Sequence, residues 1–265
     1  MLPSDWPADW PYFEAHDGTG PTMLFMHGFL SSRAQWKPNL ERLKAFVRPV
    51  LVELLGHGRS PSPTNDEAYK VENYLAAFES IRQRLGRDRW IVCGQSFGAG
   101  PVTHYALAYP ERTMGLVITN TLAALSPAGD PSRTEMQRER IKNVTAQGRP
   151  ALEALRIYPS HAKRLPEDAK AEMVADAARI QPDSVLRSWR ITSPQLTLGD
   201  RIDELKVPVL LVNGIWEKRF QPLAAAARRR LPAMKVVELA GGHSINMEAP
   251  DGFTDAVAEF VAGLK

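Results

Sequence analysis

The sequence predicts an α/β fold: a mostly parallel, doubly wound sheet with a block of helices inserted into it. Three observations carry that expectation. Short apolar runs, such as Thr22 to Met26 and Gly115 to Thr119, alternate with stretches of helical length, the pattern of strands buried on both faces. The alternation stops between residues 122 and 198, where only short helical segments punctuated by prolines can be read. Finally, one apolar run ends in Gly94-Gln95-Ser96-Phe97-Gly98, a strand-to-helix turn with a glycine two places on either side of a serine.

Taken in order, the first twenty residues are rich in Trp, Pro and Asp. Tyr12 to His16 alternates like a short strand, and Asp17-Gly18-Thr19-Gly20 is a turn signal. Thr22 to Met26 is the first buried strand, followed by a loop at Phe29-Leu30-Ser31-Ser32 and a helix over 35–46. A second strand spans Pro49 to Leu54. Tyr74, Leu75, Phe78, Ile81 and Leu85 recur at helical spacing and predict a helix over 71–85. Trp90 to Cys93 and Gly115 to Thr119 are strands, with a helix over 97–108 between them that Pro110 stops. Within the interruption, helices are expected near 131–147, 149–157, 166–179 and 182–190. The pattern resumes with a strand over 207–213, a helix over 223–230, a strand over 235–239 and a last helix over 251–264. The expected division is a core of residues 1–121 and 199–265 and a helical insertion of residues 122–198.

Composition narrows the function classes. Of 265 residues, 44% are hydrophobic and 24% charged, enough apolar material for a sizeable core. The net charge of +3 is mild, and the densest basic run, Arg228-Arg229-Arg230, has no interleaved aromatic residues. It reads as a solvated helix face, so no nucleic-acid partner is expected. A single cysteine excludes an internal disulfide, and Cys93 in its apolar strand reads as a buried, inert thiol. The chain starts without a basic, then apolar leader, and no stretch has the length of a membrane span, so a cytoplasmic protein without membrane contact is expected. No His/Cys cluster suggests a metal, and no Lys-Ser/Thr follows the glycines of a phosphate loop, so no cofactor is expected.

The Gly-Gln-Ser-Phe-Gly turn fits the nucleophile-elbow pattern. A serine at the tip of so tight a turn has a strained backbone, and Gly94 and Gly98 supply the missing bulk. Its hydroxyl projects from a strand end, and the N–H of Phe97 opens a helix, where the dipole favours negative charge. Further motifs accompany it. Met23 to Phe29 reads as a strand and a His27-Gly28-Phe29 loop; Gly56-His57-Gly58-Arg59-Ser60 is a Gly-x-Gly-x-Ser turn. Pro208 to Glu217 is a strand and acidic loop, and Gly241-Gly242-His243 follows the last strand. In this set and order the chain resembles the serine-nucleophile branch of the α/β-hydrolase family over most of its length.

The resemblance implies a site. Ser96 would be the nucleophile, His243 the base and Glu217 the acid. Glu217 stands in Gly214-Ile215-Trp216-Glu217, where the family usually has Gly-x-x-Asp. The family's other acid position, after the strand ending near Thr119, offers Asn120, which carries no charge. Backbone N–H groups of Phe29 and Phe97 would form the oxyanion hole. His27 is expected to support that loop and reach the substrate pocket, with Leu30, Leu122, Trp189, Trp216 and Ile245 as further pocket residues. The insertion would be a cap that sets substrate choice. Glu53 is expected to be structural, and His16, His57, His104 and His161 to be filler.

The reaction implied is hydrolysis of a small, largely apolar ester or related acyl compound through an acyl-enzyme intermediate. Serine at the elbow argues against the haloalkane dehalogenase and epoxide hydrolase branches, which use aspartate there. Two alternatives stay open: cleavage of a carbon–carbon bond, or a lyase reaction, on the same scaffold, and a hydrolase-fold protein that binds a ligand without turnover.

Overall fold

The structure, a computed structural model, describes residues 2–127 and 129–264. Its centre is a seven-stranded sheet in the order β1-β3-β2-β4-β5-β6-β7. The strands are β1 (Phe13–Ala15), β2 (Thr22–Met26), β3 (Arg48–Val52), β4 (Trp90–Gly94), β5 (Thr113–Thr119), β6 (Val209–Gly214) and β7 (Lys235–Leu239). Every pair is parallel except β1 with β3.

Side chains of a strand alternate between faces, and the apolar runs split accordingly. Leu24, Val50, Val52, Trp90, Val92, Leu116 and Ile118 face one way, into a core with Phe78 and Tyr105. These last two come from helices α2 (Val71–Arg84) and α3 (Ala99–Ala108). Met23, Phe25, Ile91, Cys93, Val117, Leu210 and Val212 face the other way, against Trp36, Phe253, Val257 and Phe260. Phe253, Val257 and Phe260 belong to the last helix, Pro250–Ala262. Both faces are covered, so strands must be apolar throughout rather than alternating. That is why continuous runs mark them in the sequence.

Boundaries differ from the expected ones where the backbone has a local reason. The helix expected over 35–46 is a 3₁₀ turn, Arg33–Trp36, and then α1 (Lys37–Leu43), with Pro38 in its first turn. The helix expected from residue 97 begins as a tight turn at Ser96–Gly98. Before Pro250, the expected last helix gains a separate turn at Ile245–Glu248.

Between β5 and β6 the chain is helical: α4 (Leu122–Leu125), α5 (Pro131–Gln147), α6 (Arg149–Glu153), α7 (Glu167–Ala177), α8 (Pro182–Arg187) and, after a wide turn over Ser188–Thr192, α9 (Ser193–Gln195). These helices have their own core of Val144, Leu152, Tyr158, Ala177, Ile180, Val185 and Trp189. Leu30, from the loop after β2, inserts into it and fastens the insertion to the sheet's edge. Helix α10 (Gln221–Arg230) follows β6, and α11 (Ile245–Glu248) and α12 (Pro250–Ala262) complete the chain. No described helix is long and apolar enough to cross a membrane.

From β2 the chain moves to β3 on one side, then returns across β2 to β4 on the other. The loops leaving β2 and β4 therefore part at this switch, opening a crevice at the carboxyl ends of the strands. The loops after β5, β6 and β7 end on the same edge.

Candidate active site

Ser96 has φ +53, a left-handed backbone that costs a non-glycine residue energy. Close packing beneath it holds the turn. A Cβ at Gly98 would lie 2.5 Å from the Met26 carbonyl oxygen and nearer still to that of His27, and one at Gly94 would lie 2.5 Å from Ala99 Cα. Only glycine lets the start of α3 approach β2 and β4 this closely. The strain aims the Ser96 hydroxyl across the crevice.

Its partner arrives from the loop after β7. His243 Nε2 is 2.8 Å from Ser96 Oγ, and its Nδ1 is 3.0 and 2.9 Å from the two carboxylate oxygens of Glu217. A carboxylate only accepts, so Nδ1–H donates to it and Nε2 is free to accept the serine proton. Burial pushes the Glu217 carboxyl up, but the hydrogen bond from His243, that ring's charge and the amide of Asn120 outweigh it, and its pKa lies below the ordinary value. The acid is thus held ionised beside the imidazole. The three side chains that the motifs singled out come together in one chain of hydrogen bonds.

The support around them went unread in the sequence. Asn120 donates from Nδ2 to Glu217 Oε2 at 2.8 Å and to the Gly214 carbonyl at 3.0 Å, and accepts from Gly214 N–H at 2.8 Å. The position that lacks a charge therefore grips the acid that stands one strand away. The acid and histidine loops are tied backbone to backbone, with Ile215 N–H to Leu239 O at 3.1 Å and Trp216 N–H to Gly241 O at 2.8 Å. Glu248, from α11, accepts from the N–H groups on both sides of His243, Gly242 at 3.0 Å and Ser244 at 3.3 Å. Its carboxylate also pairs with Arg164 of the insertion at 2.7 Å, and that guanidinium lies 5.0 Å from the Trp216 ring centre. Gln95, the elbow residue before the serine, donates to the His243 carbonyl at 2.9 Å.

The loop after β2 is fixed by two buried histidines. His27 Nε2 accepts from Leu54 N–H at 3.1 Å, so its Nδ1 carries the proton and donates to the Gly28 carbonyl at 2.7 Å. His57 Nε2 accepts from Leu30 N–H at 3.1 Å and its Nδ1 donates to the Leu55 carbonyl at 3.0 Å. Burial, joined by the charge of the neighbouring His57, drives His27 down to about 3, and burial drives His57 down to about 4, so both rings are neutral acceptors at neutral pH. Gly28 N–H donates to Gln35 Oε1 at 3.0 Å and Ser31 N–H to the Gly28 carbonyl at 3.3 Å. Among the described residues, the N–H of Phe29 alone in this loop of 28–31 is left without a partner.

Several expected pocket residues stand elsewhere. His27 is wholly buried and serves the loop's backbone rather than a pocket wall. Ile245 is also wholly buried, packed with Phe25, Trp36 and Val212 on the far face of the sheet, because the turn of α11 directs it inward. Trp216 is half exposed, beside Arg164. Leu122 packs against the sheet core from α4. Phe29 stacks on Phe97 at 5.0 Å and on Trp189 at 5.4 Å, an aromatic row that runs from the elbow to the insertion, with Leu30 buried alongside Trp189. His57, expected to be filler, closes this row 5.2 Å from Phe29. A cleft of about 390 Å³ opens beyond Trp189, between α5 and residues 189–197. Glu53 is buried and accepts from Arg33 N–H at 3.0 Å and Arg59 N–H at 2.7 Å, which shapes the turn over 56–60. No group of three or more metal-binding side chains occurs among the described residues.

Fold and site together define a hydrolase-fold enzyme. The chain belongs to the α/β-hydrolase fold family, whose model matches residues 21–250. A Bacillus subtilis protein provisionally named 2-succinyl-6-hydroxy-2,4-cyclohexadiene-1-carboxylate synthase is 27% identical over 251 residues, 91% of this chain and 90% of its own. The 2-(acetamidomethylene)succinate hydrolase of Mesorhizobium japonicum is 25% identical over 254 residues, 92% of this chain and 89% of its own. Among solved structures, the enol-lactonase of Burkholderia xenovorans superposes with a TM-score of 0.78 at 20% identity, covering 95% of this chain and 96% of its own.

Proposed function

We propose that the protein is a serine hydrolase that cleaves a small ester or related acyl compound, with Ser96 as nucleophile, His243 as base and Glu217 as acid. The observation that carries this reading is the continuous hydrogen-bonded line from Ser96 Oγ through His243 to Glu217. Ser96 Oγ attacks the acyl carbon while its proton passes to His243 Nε2. The oxyanion so formed is met by the N–H groups of Phe29 and Phe97, each worth about 3 kcal/mol in such a role. Collapse expels the alcohol, which takes the proton from His243, and leaves an acyl-serine. Water, deprotonated by the same imidazole, then releases the acid and restores Ser96. Glu217 fixes the ring's tautomer and favours its charged form. The helices of 122–198 act as a cap, and the aromatic row of Phe97, Phe29 and Trp189 receives the apolar part of the substrate.

Labelling with a fluorophosphonate probe tests the reading. The probe should attach at Ser96, and Ser96→Ala should be neither labelled nor active on 4-nitrophenyl butyrate. Labelling elsewhere, or turnover by the alanine variant, sinks the assignment. A second reading, carbon–carbon cleavage or elimination with the same three residues, is favoured by the synthase name of the Bacillus relative. A β-diketone turned over faster than every ester in a matched panel would decide for it.

A further inference from the structure

Helix α5 carries Arg133, Gln137, Arg140 and Val144 at spacings of three and four, so they share one stripe. Three of the four are anchored inward. Arg133 donates to the Ala123 carbonyl at 2.8 Å and to Thr197 Oγ1 at 3.0 Å. Gln137 donates to the Trp189 carbonyl and accepts from Ser193 Oγ at 3.1 Å. Val144 is buried with Leu30 and Trp189. Arg140 lies between these anchors, on the side of the helix that faces Leu30 and the aromatic row. It is partly buried and, among the described residues, no carboxylate pairs with it and no hydrogen bond engages it.

Its charged neighbour makes matters worse for it rather than better. Burial pushes the Arg140 guanidinium below its ordinary pKa, and the charge of Arg219 pushes it further. Arg219 stands two residues beyond Glu217, and its charge also acts on that carboxylate. Arg140 of the insertion and Arg219 of the acid loop are thus within electrostatic reach of each other, and Arg219 within reach of Glu217. A desolvated guanidinium without a partner is unfavourable, and an anion placed between the two offsets it. The planar fork of arginine suits a carboxylate in particular.

We infer that Arg140, with Arg219 beside it, forms an anion subsite that takes a carboxylate of the substrate, so that the preferred acyl compound is acidic at one end and apolar along the aromatic row. The bond broken rests on the hydrolase reading above; the binding does not.

Two measurements test the subsite separately from the chemistry. The first compares 4-nitrophenyl hexanoate with 4-nitrophenyl hydrogen adipate, in which a carboxylate replaces the terminal methyl. The ratio of kcat/KM for the acidic over the neutral ester should fall about tenfold or more in Arg140→Gln, and by less in the exposed-loop variant Arg219→Gln. The second measures adipate binding by calorimetry in the Ser96→Ala background, where Arg140→Gln should weaken it about tenfold or more. If both esters lose activity equally and adipate binding ignores both arginines, the subsite is overturned while the hydrolase reading stands. If no ester is turned over yet adipate binding depends on Arg140, the subsite stands and the hydrolase reading falls.

Discussion

Lowering the pH from 7 to 5 should destabilise the fold through two buried rings, His27 and His57. In the folded chain His27 and His57 are held at about 3 and about 4, against an ordinary value of 6.5. Their folded values are depressed, so the unfolded chain takes up a proton at each ring below pH 6.5 while the folded chain does not. Stability is therefore full above 6.5 and is lost as pH falls toward the folded values. One pH unit in that window is worth about 1.4 kcal/mol per ring, so at pH 5 the loss is about 2 kcal/mol for each and about 4 for both. His16 and His104, lowered by burial, act in the same direction. Glu53, raised by its burial, opposes them. Urea denaturation at pH 7 and pH 5 reads the difference. His57→Gln, which keeps an acceptor for Leu30 and a donor for Leu55, should lose about 2 kcal/mol less over the same interval. If wild type and variant lose stability equally, His57 is not a neutral buried acceptor, and the account of how the loop after β2 is held falls with it.

Other expectations concern the site. Glu217→Gln should lower kcat on 4-nitrophenyl butyrate about a hundredfold or more with intact circular dichroism, since it removes the charge that favours the imidazolium; a threefold effect would leave the acid without its role. Glu248→Ala frees both N–H groups that flank His243 and releases Arg164, so kcat should fall while KM moves little, and a change in KM alone would contradict a positioning role. Gly98→Ala puts a methyl into the carbonyls of Met26 and His27 and should destabilise the protein by about 1–3 kcal/mol in urea melts; an unshifted midpoint would show that the elbow is not tightly packed.

The strands were legible because burial on both faces demands continuous apolar runs, and the elbow because its sterics demand two glycines around a serine. Ser96, Glu217 and His243 could be found because each stands at a strand end in a short motif. What surrounds them could not. Asn120 was noticed only as a position without charge, and its grip on Glu217 joins residues 97 apart in sequence. Glu248 and Gln95 act through backbone groups, which leave no residue pattern at the receiving end. A lone His57 reads as filler, yet its ring holds Leu30 N–H, a contact across 27 residues. Ile245 is expected at the pocket, whereas the tight turn of α11 sends it to the opposite face of the sheet. Inside the insertion, α5 could be read as helix, but its inward stripe mixes arginine, glutamine and valine and has no hydrophobic signature to orient it.

Asn120 directly follows the last residue of β5, Thr119, before the chain departs into the helices of 122–198. Its amide steadies the acid, while the backbone just beyond it launches those helices. Anyone exchanging those helices for others by grafting should therefore make the upstream cut after Thr121. A junction before Asn120 would carry away the anchor of Glu217 together with the helices it was meant to replace.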